Sequence, residues 1–91
     1  MSIAQIESVA LERYAAVTGA NFTSVQAAHD VLDKEVIPVY ERFFFLMEAI
    51  KPPDPEVAKA HAYYVRGSKE ALDGFRIKLY GLAENQAIFL G

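Results

Sequence analysis

Residues 51–56 read KPPDPE, and this stretch decides how the rest of the chain is organised. Its first two prolines lack the backbone N–H that a helix needs, so they stop a helix arriving from the N-terminal side. Asp54 is a helix-capping residue, Pro55 suits the first helical position, and Glu56 places negative charge at the positive end of the helix dipole. The stretch therefore predicts two helices that are joined by a short turn and pack as an antiparallel hairpin.

The segment before this turn has the apolar pattern of one long helix. Thr23 and Gln26 are spaced as a capping box, and apolar residues follow at intervals of three and four as far as Ile50. Pro38 lies in the middle, where a proline removes one backbone hydrogen bond and clashes with the carbonyl group of Lys34. We predict a helix over residues 23–50 with a kink at Pro38, the alternative being a split into two helices there.

The segment after the turn carries a second long helical pattern. Apolar side chains share one face from Ala58 to Leu79, which predicts a helix that continues to about Tyr80 and ends at Gly81. Residues 82–91 are predicted to form a separate short helix that folds back onto the bundle or onto a partner. The side chains expected to make this contact are Leu82, Ile88, Phe89 and Leu90.

The N-terminal segment also begins with a helix signal, because Ser2 and Gln5 form a capping box. Apolar residues recur at helical spacing from Ile3 to Val17, which predicts a first helix over residues 3–18 that Gly19 ends. We therefore predict one all-α domain over residues 1–91. Its architecture would be an up-down antiparallel bundle of three long helices plus a short C-terminal helix.

The composition indicates that this bundle is completed by oligomerisation. Apolar residues make up 53% of the 91 residues, above the roughly 45–50% of an ordinary soluble domain. Three or four short helices form a thin bundle with a large surface for each core residue. Surplus apolar side chains would then be exposed unless a second chain covers them, so we expect a homodimer or a larger helical assembly.

Charge and cysteine content narrow the classes of function. The net charge is −3, with both signs spread along the chain, which disfavours nucleic acid as a partner. The chain has no cysteine, so disulfides, thiolate nucleophiles and cysteine-held metal sites are excluded. No apolar stretch is long enough to span a membrane and the first residues lack the pattern of a signal peptide, so a cytoplasmic location is expected.

A cluster of large apolar residues marks the end of the second predicted helix. These side chains surround the helix, so some of them must face another surface. We predict that they form core and a dimer interface. The alternative is a pocket for an apolar or flat aromatic ligand, with His61, Tyr63, Tyr64 or Arg66 as polar contacts. The predicted interface residues are Tyr40, Phe43, Phe44, Phe45 and Met47.

Gly67, Ala71 and Gly74 form a stripe of small residues in the third predicted helix. Each glycine costs about 1 kcal/mol relative to alanine inside a helix, which indicates a steric reason for its presence. We predict close helix packing opposite residues 31–38. A hinge, or a groove that receives a partner helix, is the functional alternative.

No arrangement of residues predicts a metal site, a cofactor site or a catalytic triad. His29 and Asp33 are one helical turn apart, but His61 would lie roughly 22 Å away along the hairpin at about 1.5 Å per residue. The chain is therefore predicted to be an interaction or assembly module, without catalytic activity, that binds itself or another helical protein.

A short segment around His61 suggests a third function. Ala60-His61 followed by Arg66-Gly67-Ser68 resembles the phosphorylated-histidine helix of histidine phosphotransfer domains, which implies a phosphorelay role for His61. The sequence departs from that family because Tyr64 and Val65 occupy the positions of its basic and small residues. Those side chains would crowd the imidazole, which phosphoryl transfer requires to be exposed.

Overall fold

The computed structural model describes residues 2–90, with side chains described for residues 2–84. Four α-helices follow one another along the chain, and no strand occurs in this part of it. Their bounds are Ile3–Ala15 for α1, Val25–Val31 for α2, Ile37–Ala49 for α3 and Pro55–Leu90 for α4. A π-helical turn over Leu32–Val36 joins α2 to α3, so these two run as one long helix. The prediction of an all-α fold is confirmed.

Helix α1 begins at the predicted capping box and ends three residues earlier than predicted. The Ser2 hydroxyl accepts a hydrogen bond from the Gln5 backbone N–H, and the Ser2 N–H donates to the Gln5 side chain. At the other end the Thr18 hydroxyl donates to the Tyr14 carbonyl and the Asn21 amide donates to the Ala15 carbonyl. Because these side chains satisfy the last carbonyl groups, the helix can end before Gly19.

The long second helix passes through Pro38 by means of the π-helical turn. Ile37 N–H bonds to the Leu32 carbonyl, one residue further back than in an α-helix, and Pro38 follows in the first turn of α3. Pro38 has no N–H to donate, and the π-helical turn before it interrupts the regular α-helical hydrogen-bond pattern at this point. The helix starts at Val25 with Ser24 as its cap, which accepts from the Ala27 N–H, so the predicted cap at Thr23 is wrong.

Helix α4 begins where the sequence predicts and continues further. The Asp54 carboxylate accepts hydrogen bonds from the N–H groups of Glu56 and Val57. The predicted end at Gly81 and the separate helix over 82–91 are wrong, because α4 is continuous from Pro55 to Leu90. Gly81 keeps a negative φ, and Leu82 is buried, so continuing the helix covers an apolar side chain. The predicted contacts of Ile88, Phe89 and Leu90 lie outside the described side chains.

Side-chain contacts show that α1 lies beside the α2–α3 helix and also touches α4. An Arg13–Glu35 ion pair shows that the end of α1 lies beside the π-helical turn. Glu7 contacts Tyr64, and the rings of Tyr14 and Phe75 lie 5.0 Å apart, so α1 and α4 run in the same direction. The buried core between the helices consists of Ile6, Ala10, Ala28, Leu32, Val36, Ile37, Tyr40, Phe43, Phe44, Leu72 and Leu82.

The molecule is elongated because α4 is longer than the helices it packs against. Its principal extents are 54 × 22 × 19 Å, and 36 residues of α-helix at about 1.5 Å each account for the long dimension. The radius of gyration is 15.4 Å, whereas a compact domain of this length has about 12 Å. In the part of the chain that is described, no helix combines the length and apolar character needed to cross a bilayer.

Candidate functional site

The predicted interface aromatics are mostly core residues. Tyr40, Phe43 and Phe44 are 3%, 1% and 7% exposed, and Met47 is half-buried against the same core. The Tyr40 ring lies 5.2 Å from that of Phe43 and contacts Phe75 of α4 at 5.3 Å. Of the five predicted residues, Phe45 alone is largely exposed, at 58%. The chain itself therefore covers three of these side chains, and they are not available to a partner.

An open apolar groove of about 460 Å³, here called the end groove, lies where α1 begins, α3 ends and α4 begins. Three large apolar side chains that line it are exposed: Ile50, Val57 and Tyr64. The buried ring of Phe43 also contributes to the lining. The full lining is Ile3, Ala4, Phe43, Met47, Ile50, Val57, Ala60, His61 and Tyr64.

The polar side chains that line the end groove, His61 and Tyr64, both donate hydrogen bonds within the chain. His61 Nε2 lies 2.7 Å from the Met47 carbonyl oxygen, which can only accept, so Nε2 donates this hydrogen bond. The Tyr64 hydroxyl donates to the Glu7 carboxylate, 3.0 Å from each oxygen. Burial raises the pKa of Tyr64, and its hydrogen bond to Glu7 and the charge of that carboxylate raise it further.

Glu7 is the part of this site that sequence reasoning missed. It lies on α1, 57 residues before Tyr64 in the chain. Its proximity to α4 depends on which helices pack side by side, and no local pattern carries that information. An acidic residue in the first half of a predicted helix is ordinarily a solvent-exposed charge.

A small polar cluster connects the groove to the core. Ser68 is buried, at 5% exposure, and its hydroxyl donates to the Tyr64 carbonyl at 2.9 Å. Burial raises the pKa of Tyr40, the nearby Ser68 hydroxyl acts in the opposite direction, and the charge of Glu7 adds to the rise. The net effect favours the neutral form of the Tyr40 hydroxyl.

The predicted polar ligand contacts divide between two sides of α4. His61 and Tyr64 come together with Phe43 and Met47 at the end groove. Arg66 lies elsewhere, with its guanidinium 5.8 Å from the centre of the exposed Tyr63 ring. Because His61 is half-buried and bonded to a backbone carbonyl, it lacks the exposed imidazole that the phosphotransfer resemblance implies.

The predicted close packing opposite residues 31–38 does not occur at the two glycines of the small-residue stripe. Gly67 and Gly74 are exposed, and a Cβ atom added at either would meet no other atom within 4 Å. Ala71 is half-buried against the core. The two glycines instead lie on the exposed side of α4.

His29 does not form part of a larger cluster. Its ring contacts Asp30 at 3.3 Å, and among residues 2–84 no three histidine or carboxylate side chains gather in a position to hold a metal ion. No protein-family model, no curated protein and no solved structure matches this chain, so its function must be inferred from its own residues.

Proposed function

We propose that this chain is a helical assembly module that associates with a second copy of itself, and that the second copy completes an up-down bundle. The exposed area carries the proposal. It is 6163 Å², whereas a compact monomer of 10.1 kDa exposes about 5,300 Å². The excess of roughly 900 Å² is close to the roughly 800 Å² that each partner buries in a stable interface of standard size.

The apolar part of this excess is concentrated on α4. Ten large apolar side chains among the described residues are exposed, and five of them belong to this one helix. Single exposed apolar residues are normal on a protein surface, but a helix that carries half of them favours a protein contact there. The five are Val57, Tyr63, Tyr64, Ile77 and Tyr80.

Sedimentation equilibrium tests the assembly directly. Over about 5 to 500 µM, we expect the mass to approach at least twice the 10.1 kDa of one chain, because an interface of standard size gives micromolar or tighter affinity. A mass of one chain throughout this range would refute the proposal. Circular dichroism on the same samples checks that the chain remains helical.

The end groove favours a second candidate function, the binding of a small apolar molecule that carries a protonated amine. Its volume lies within the roughly 300–1,000 Å³ of small-molecule sites. The Tyr64 oxygen lines the groove and can accept a hydrogen bond, and the Glu7 carboxylate to which Tyr64 donates carries a negative charge beside it. A protonated amine complements both groups.

A matched series of eight-carbon ligands tests this second function. We expect n-octylamine to bind at least about tenfold more tightly than n-octanol, and octanoate to bind most weakly, since about 1.4 kcal/mol of charge interaction gives a factor of ten. Glu7→Gln should remove the preference for the amine, whereas Glu12→Gln, an exposed carboxylate on the same helix, should keep it. Equal dissociation constants for the three ligands would contradict the idea, as measured by NMR titration.

A further inference from the structure

One side of α4 is exposed along the described part of the helix and bears both apolar and charged groups. We call it the outer face; it consists of Tyr63, Gly67, Glu70, Gly74, Ile77 and Lys78, all of which are exposed. These positions repeat at intervals of three, four and seven residues, so they lie on one side of a helix with 3.6 residues per turn. Ile77 is 73% exposed, more than any other large apolar residue of the described chain.

We propose that two copies pair through the outer face, with the two α4 helices antiparallel about a two-fold axis beside Glu70 and Ala71. The proposal rests on the self-association argued above and specifies its surface. A closed two-fold pair uses the same patch on both chains. Every contact on one side of the axis is therefore repeated on the other.

The apolar groups of the face complement each other in this arrangement. Antiparallel pairing about Glu70 places Tyr63 of one chain opposite Ile77 of the other, on the same flank of the helix pair. The two side chains are 62% and 73% exposed in the single chain. Between them, Gly67 lies opposite Gly74 of the second copy, and neither obstructs the approach, because no atom lies within 4 Å of a Cβ position at either residue.

The charges on the other flank are also complementary. Lys78 of the second copy comes to lie beside Tyr64, whose hydroxyl donates to the Glu7 carboxylate. None of the ion pairs among residues 2–84 involves Glu7 or Lys78, so each charge lacks an ionic partner within the described chain. The second copy would supply the cation that the Glu7–Tyr64 pair attracts, twice in each dimer.

Glu70 has a distinct position in the proposed dimer, next to the Glu70 of the second copy at the axis. Like charges across an interface repel, so this contact weakens the dimer. Glu70→Gln should therefore tighten association. Removing a surface charge from an unrelated part of the chain should have no such effect. An increase in affinity on removal of a charge is specific to pairing about this axis.

Disulfide crosslinking tests the geometry, since the native chain has no cysteine. In the Glu70→Cys variant the two thiols should meet at the axis and crosslink under mild oxidation, because a disulfide requires Cα atoms within about 7 Å. Lys69→Cys is the matched control: it is also exposed, but its side chain points about 100° away around the helix. We expect a crosslinked dimer for Glu70→Cys and none for Lys69→Cys at equal concentration.

A charge exchange tests the register. By sedimentation, Glu7→Lys and Lys78→Glu should each weaken association by about tenfold, and the double variant should recover most of the loss, because it restores the ion pair in reversed polarity. Phe45→Asp, which alters an exposed ring on α3, should leave the dissociation constant unchanged.

The outcomes separate this inference from the proposed function. A wild-type chain that remains monomeric refutes both. A stable dimer that Phe45→Asp dissociates, that Lys78→Glu leaves intact, or that crosslinks equally well through residues 69 and 70 overturns the outer face as the interface and leaves self-association standing.

Discussion

At the scale of single residues, the buried Tyr40 hydroxyl links the stability of the chain to alkaline pH. Burial raises its pKa above the ordinary value near 10, so the folded chain keeps this proton at a pH where the unfolded chain loses it. The contribution of Tyr40 to stability is complete below the unfolded pKa. It is lost as pH rises from there through the higher folded pKa.

Tyr40→Phe should reduce this alkaline loss of stability. For each proton that the folded state binds and the unfolded state does not, the free energy of unfolding falls by up to about 1.4 kcal/mol per pH unit. The free energy of unfolding of the variant should therefore decline less steeply above about pH 10. At neutral pH the loss of one buried hydroxyl should change the free energy of unfolding by at most about 1 kcal/mol. Urea unfolding between neutral and alkaline pH measures both effects, and parallel curves for wild type and variant would contradict the assignment.

At the scale of helices, the accuracy of sequence prediction depends on how local the signal is. The starts of α1 and α4 were predicted correctly because a capping residue and the N–H groups it bonds lie within three residues. The ends were not. Helix α1 ends at Ala15 because Thr18 and Asn21 reach back to its carbonyl groups, and α4 continues through Gly81 because Leu82 packs in the core.

Local sequence also does not predict which side chains of a helix point into the core and which point to solvent. The sequence predicts that the cluster around Phe43 and Phe44 faces more than one surface, but its division into core and exposed side chains depends on where α1 and α4 lie. The π-helical turn before Pro38 shifts the faces of α2 and α3 relative to each other. His61 and Tyr64 lie close together in the sequence, so they could be predicted as ligand contacts. Glu7 could not, because its place beside Tyr64 depends on how α1 and α4 pack.

At the scale of the whole molecule, one long helix with three shorter elements along it has too much surface for its core. If a second copy covers part of that surface, unfolding must also separate the two chains, and the melting temperature must then rise with protein concentration. The excess area and the elongated shape therefore have a thermodynamic consequence that can be measured without any substitution.

We expect the melting temperature to increase by about 4 °C for each tenfold rise in concentration above the dissociation constant. A tenfold rise stabilises the dimer by about 1.4 kcal/mol, shared between two chains that each have an unfolding entropy of roughly 0.2 kcal/mol/K at this length. Scanning calorimetry at several concentrations measures the slope, and Lys78→Glu should move the onset of the rise to higher concentration. A melting temperature independent of concentration from about 5 to 500 µM would mean that the lone chain is stable despite its exposed apolar side chains, and that self-association contributes nothing to its fold.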